Sequence, residues 1–158
     1  MKAESASRVS RDQRDVLDLL RRDGKGPLDA VLDRVVEALH DRFSHYTGVY
    51  LYWMDGADAL VLRAFRGRPT EHTRIPVAVG ICGRAARERR TVIVDDVTAD
   101  SSYLACSIET KSEIVVPIMK GDVVLGEIDI DGDAAAAYGP ADQRFLEQVA
   151  TLVAARVT

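Results

Sequence analysis

Glu113-Ile-Val-Val-Pro-Ile-Met119, Lys120-Gly121-Asp122 and Val123-Val-Leu-Gly-Glu-Ile-Asp-Ile-Asp131 form the stretch that decides the fold. Ile114, Val116 and Ile118 alternate along the first run and Val124, Ile128 and Ile130 along the second, so the pair reads as a β-hairpin with one apolar face. Bringing both apolar sets to that face requires even positions to pair with even ones. A three-residue turn does this, setting Met119 opposite Val123 and Glu113 opposite Asp129, with Glu127 and Asp131 two residues to either side. The second face then gathers these four acids. Like charges facing each other across strands are unfavourable. The cluster is therefore expected to keep some of its protons or to hold a cation, such as a ligand ammonium, a Lys or Arg, or a metal. The alternative is that it forms the solvated outer face of an antiparallel sheet.

Upstream of the hairpin, Thr91 to Val94 reads as a strand, Asp95 to Ser107 as mostly loop, and Gly80 to Arg89 as a short helix. Thr47 to Met54 and Ala59 to Arg66 read as strands joined by the turn Asp55-Gly-Ala-Asp58, with a third short strand at Arg74 to Val77. Leu28, Val31, Leu32, Val35, Val36 and Leu39 recur at helical spacing, which predicts an amphipathic helix with Pro27 in its first turn. Gly24, Gly26 and Pro27 set this helix apart from residues 1–26, an N-terminal extension with a short helix around Val16, Leu17 and Leu20. Downstream, Pro140 to Val157 reads as a closing helix with Phe145, Leu146, Val149 and Val153 inward. The order predicts an α+β domain over residues 27–158, an antiparallel sheet with helices packed mainly on one face.

Composition narrows the function. With 158 residues and 47% hydrophobic content, the chain can bury one real core and needs no second domain. A net charge of −4 argues against nucleic acid and anionic membranes as partners, since both call for a basic surface. No signal-peptide pattern or membrane-length apolar run is present, so a cytoplasmic location is expected. In that compartment Cys82 and Cys106 should be thiols rather than a standing disulfide. There is no Cys-x-x-Cys, no His-x-x-x-His and no nucleotide fingerprint, so neither a metal nor another bound cofactor is expected.

Gly80-Ile-Cys-Gly83, Val94-Asp-Asp-Val97, Tyr103-Leu-Ala-Cys106, Ser112-Glu-Ile-Val-Val-Pro117 and Gly126-Glu-Ile-Asp-Ile-Asp131 together resemble the GAF domain, over roughly residues 27 to 158. Within it the details resemble the free methionine-(R)-sulfoxide reductases, which carry a Gly-Val-Cys-Gly segment, an Ala-Cys pair, a Ser-Glu-Ile strand start and an Asp-Ile-Asp strand. The matching positions are Cys82, Cys106, Glu113, Asp129 and Asp131. The resemblance implies a single GAF domain that reduces free methionine-(R)-sulfoxide without a bound cofactor, with thioredoxin as the external reductant. It also implies Cys106 and Cys82 as the catalytic pair, a substrate site that includes Glu113, Asp129 and Asp131, and a homodimer. Two positions depart from the family pattern. His72 stands where a third, resolving cysteine is common, beside a one-residue insertion, and Tyr46 and Tyr50 occupy the places of an aromatic pair, usually Trp and Tyr, that packs on the substrate methyl group. Shared strand parity would project both rings to one side.

The chemistry needs such a set. A thiol must attack the sulfoxide sulfur while the oxygen is protonated, which calls for a nucleophile and a general acid within hydrogen-bond reach. Cys106 attacks and becomes a sulfenic acid, and Cys82 condenses with it to a disulfide. Cys82 lies near a predicted helix N-terminus, where the dipole favours a thiolate. Crowding keeps one carboxyl protonated as a donor. Against this stand plain packing roles: each cysteine as a small buried hydrophobe, the tyrosines as ordinary sheet packing. A non-catalytic GAF module that senses a small ligand and acts through a partner protein is the alternative function.

Overall fold

The central hairpin is β5 (Ser112–Lys120) and β6 (Val123–Gly132), seen in a computed structural model that describes residues 10–101, 103 and 109–157. Its turn has two residues, not three. Gly121 takes a left-handed conformation, Lys120 pairs with Val123, and an irregularity between Ile118 and Met119 leaves Leu125 as an extra residue in β6. A two-residue turn alone would pair even positions with odd ones, and the bulge restores the even pairing. The apolar residues therefore share one face as expected, with partners shifted by two positions, Ile114 meeting Ile130 and Val116 meeting Ile128. The acids have slid by two positions: Glu113 faces Asp131, and Asp129 faces Val115. The bulge also turns Val124 to the opposite face from Ile128 and Ile130, and Leu125 takes its place against the first core.

Upstream come α1 (Arg11–Asp23), α2 (Leu28–Arg42), β1 (Gly48–Asp55), β2 (Ala59–Gly67), β3 (Arg74–Pro76), α3 (Gly80–Glu88) and β4 (Val92–Val94), and α4 (Pro140–Ala154) follows the hairpin. The predicted loop after Val94 contains one short 3-10 turn, Val97–Ala99. α1 starts at a capping box in which Ser10 and Gln13 satisfy each other's backbone N–H groups. The six strands run antiparallel in the order β3-β2-β1-β6-β5-β4, two hairpins laid side by side through β1 and β6.

This order decides which faces are dry. β3 and β4 are the two edges of the sheet, and the chain between them is α3, which crosses one whole face and contacts β5, β6, β3 and β4. α2 and α4 cover the other face, with α1 packed outside them through Val16, Leu17 and Leu20. Val49, Leu51, Ile114, Val116, Ile118, Ile128 and Ile130 pack on the α2 and α4 side. Tyr50, Tyr52, Leu60, Ile75, Ile81, Val92, Val94 and Val115 pack on the α3 side. The acidic face is therefore not a solvated outer surface, because α3 and its flanking loops close over it. Among the described residues, no helix is long and apolar enough to cross a membrane.

α3 sits close to the turn that launches it. A Cβ on Gly83 would lie 2.5 Å from the carbonyl oxygen of Val77. Gly83→Ala is therefore expected to push α3 off that turn and lower stability by about 1–3 kcal/mol, read as a drop in Tm. An unchanged Tm would mean that the turn yields without cost.

Candidate functional site

Beneath α3 the second face of the hairpin carries the four acids: Glu113 on β5 and Glu127, Asp129 and Asp131 on β6. All are buried, from 0% exposure at Glu127 to 5% at Glu113. The first turns of α3 place Cys82 over this row, where its Sγ donates to Asp129 Oδ2 at 3.3 Å. His72, Ile75, Gly80, Ile81, Cys82, Glu113 and Asp129 line a tight recess of about 10 Å³, which is room for about one water. One donor atom from each of Cys82, Glu113 and Asp129 lies within 4.8 Å of the others. That spacing suits shared protons as well as it suits a small cation.

Burial dominates the electrostatics. It pushes the Glu127 and Asp131 carboxyls well above the usual range, and the nearby Asp129 adds to both shifts. Asp129 is also raised by burial, against the opposing effects of hydrogen bonds from Glu113 and Cys82 and of the charge of nearby His72. Two buried carboxyls can share a hydrogen bond only if one keeps its proton, so the Glu113 and Asp129 pair holds one between them. Neither oxygen of Glu127 has a hydrogen-bond partner among the described residues. Cys82 departs from the expectation drawn from its helix position. Burial first, and then Asp129, Glu127 and Glu113, push its thiol well above the ordinary value. A helix N-terminus offers about half a positive charge, which does not outweigh full burial beside three carboxyls.

The two tyrosines do not project together. Tyr46 precedes β1, and its N–H donates to Phe43 in a turn, so strand parity does not reach back to it. Its ring lies in the α2 and α4 core against Phe43 and Tyr138, and its hydroxyl donates to Asp142 Oδ1 at 2.7 Å. Tyr50 lies on the α3 side, stacked with Phe65, and its hydroxyl donates to the Arg68 carbonyl at 2.6 Å. Cys106 lies outside the described residues.

Arg68 is a part of this region that the pattern of the chain did not reveal. It pairs with Asp133 just after β6 and with Glu109 at 2.8 Å, and its charge opposes the rise of the Asp131 carboxyl. No local signal marks it, because the contact arises from the β2-β1-β6 strand order.

Residues 27–157 match the family model described as the GAF domain. The chain is similar to GAF domain-containing protein A of Dictyostelium discoideum, 36% identical over 78% of this chain and 77% of that one. It is also similar to the free methionine-R-sulfoxide reductase of Saccharomyces cerevisiae, 38% identical over 69% of this chain and 61% of the yeast protein. Among solved structures, the free methionine-R-sulfoxide reductase of Neisseria meningitidis in complex with its substrate aligns with a TM-score of 0.85 at 29% identity, over 96% of this chain and 89% of that one.

The raised carboxyls give stability a pH dependence of definite sign. The folded chain holds protons on Glu127 and Asp131 that the unfolded chain releases. This contribution is fully present below the unfolded carboxyl values and is lost as pH rises toward the folded ones. Glu127→Leu removes a carboxyl with no partner, and is expected to stabilise the fold by about 1–3 kcal/mol at neutral pH. The gain should be larger at pH 8 than at pH 5 in urea unfolding. A loss of stability at both would mean that the carboxyl is satisfied in the native protein.

Proposed function

We propose, on the premise that this chain belongs to the GAF domain family, that it is an oxidoreductase that converts free L-methionine-(R)-sulfoxide to methionine using its two cysteines. The observation that carries this reading is the recess in which a thiol and two buried carboxyls converge at Cys82, Glu113 and Asp129. The likeness to the yeast and meningococcal reductases supports it.

The reaction needs protons inside a site that admits little water. Cys106 attacks the sulfoxide sulfur and takes over its oxygen as a sulfenic acid, while the substrate is reduced to the thioether. A neutral carboxyl of the Glu113 and Asp129 pair supplies the proton that the sulfoxide oxygen requires. The acids also suit a free amino acid. An ammonium entering the recess replaces their protons as the compensating charge, and Asp131 extends this anionic row. Tyr50 is assigned to the wall of the site. Tyr46, held by Asp142, supports that wall from the opposite core. Cys82 then condenses with the sulfenic acid, giving a disulfide and water, and thioredoxin returns both thiols. The sum is one sulfoxide and two thiols converted to one thioether, one disulfide and one water.

Thioredoxin-coupled NADPH oxidation with each epimer of free methionine sulfoxide tests the reading. The (R) epimer is expected to turn over, the (S) epimer not, and Cys106→Ser to abolish the activity. If neither epimer reacts even with a chemical thiol, the chain is a ligand-binding GAF module instead.

Glu113→Gln and Asp129→Asn separate chemistry from scaffolding. Each should lower kcat/KM by about 100-fold or more while Tm stays within a few degrees. Equal losses of activity and stability would mark these acids as structural.

A further inference from the structure

His72 stands in the loop between β2 and β3 and borders the recess together with Cys82, Glu113 and Asp129. Its main chain is fixed on both sides. The Tyr52 hydroxyl donates to its carbonyl at 2.8 Å, and its own N–H donates to Thr70 Oγ1 at 3.0 Å. Its side of the recess faces the one that Asp129 lines, and Asp129 accepts the Cys82 thiol hydrogen at 3.3 Å. Thiol, carboxylate and imidazole thus form a series from a sulfur that is 4% exposed to a residue that is only half-buried.

Cys82 needs an outlet for its proton. To act on another sulfur it must become a thiolate, and it is surrounded by groups that oppose that charge. Asp129 can take the proton but is 2% exposed, so it has no direct exchange with water. Among the described residues, the titratable groups around the recess and its thiol are Cys82 from α3, Glu113 from β5, Glu127 and Asp129 from β6 and His72 from the loop. Arg74, on the same segment as His72, is turned to Asp55. His72 is the one of these that is partly exposed.

We propose that His72 accepts, through Asp129, the proton that the Cys82 thiol loses when it closes the disulfide. This rests on the reductase reading above. In the step, the Cys82 sulfur attacks the sulfur of the Cys106 sulfenic acid, an S–S bond forms and the S–O bond breaks. The thiol proton passes to Asp129 and on to the imidazole, which releases it to solvent, and the departing hydroxide takes up one proton from solvent and leaves as water, so no proton is gained or lost. The sulfenic sulfur is reduced and the Cys82 sulfur oxidised, so no further reactant is needed. His72 is a positioning residue that moves a proton by way of Asp129.

The test uses the full chain with one equivalent of free methionine-(R)-sulfoxide, comparing wild type, His72→Gln and His72→Ala. Methionine formation, trapping of the sulfenic acid by dimedone and loss of free thiol are followed separately. Both variants should still form one equivalent of methionine, close the disulfide roughly 10- to 100-fold more slowly and accumulate the dimedone adduct. Disulfide closure in the wild type should slow toward acid pH, and His72→Gln should lack that limb. Added imidazole should restore closure in His72→Ala. Closure at the wild-type rate in both variants would overturn the proposal. So would a slowing that imidazole does not relieve and that leaves the pH profile unchanged, because that would make His72 structural. If the wild type forms no methionine at all, the reductase reading fails and takes this proposal with it. Methionine formation with closure indifferent to His72 sinks the proposal alone.

Discussion

Four carboxyls sealed between a β-sheet and one helix are the constraint around which the rest of this protein is arranged. Burying an ionised carboxylate without a partner costs several kcal/mol, and Glu113, Glu127, Asp129 and Asp131 are each 5% exposed or less. The fold meets the cost by holding protons rather than by supplying cations. Arg68 brings a cationic charge to the Asp131 end of the row, and its guanidinium is shared with Asp133 and Glu109. The inner part of the row has a thiol and the edge of an imidazole for company.

Such a row is costly for stability and well suited to proton-dependent chemistry. An acid kept neutral at physiological pH donates where an exposed one would already be ionised. The same burial that prepares the carboxyls disables the thiol, because whatever favours a neutral Glu127 or Asp131 also favours a neutral Cys82. A site that both protonates an oxygen and uses a second cysteine must therefore separate the two demands in time, with a route that carries the thiol proton out. The packing of α3 over the sheet creates this tension, and the loop carrying His72 lies where it can be relieved.

Much of this was legible in the chain itself. The alternation of Ile114, Val116, Ile118, Ile128 and Ile130 marks the hairpin and its core face, and the spacing from Leu28 to Leu39 marks α2, because side-chain period follows directly from backbone geometry. The acids share a face for the same reason. The register was not legible. Turn length and bulge act together, and a two-residue turn with Leu125 bulged preserves the parity that a three-residue turn would also give. Parity alone could not separate Asp129 from Asp131 as the partner of Glu113. The tyrosine pair failed for a related reason, since parity holds only within a strand and a turn stands between Tyr46 and β1.

What the sequence by itself determined is therefore local and periodic: which residues form each helix and strand, which face of the hairpin is apolar, and which residues carry the chemistry. The helices, the strands and the apolar face depend on neighbours a few positions apart, whereas the chemical roles of single residues were only expectations. Whether the acidic face is wet or dry, whether the thiol at a helix start is activated or suppressed, and which cation stands near the acids were decided only by the tertiary structure. They depend on α3 spanning the sheet from edge to edge, and on the dielectric and distances that this crossing imposes on groups far apart in the chain.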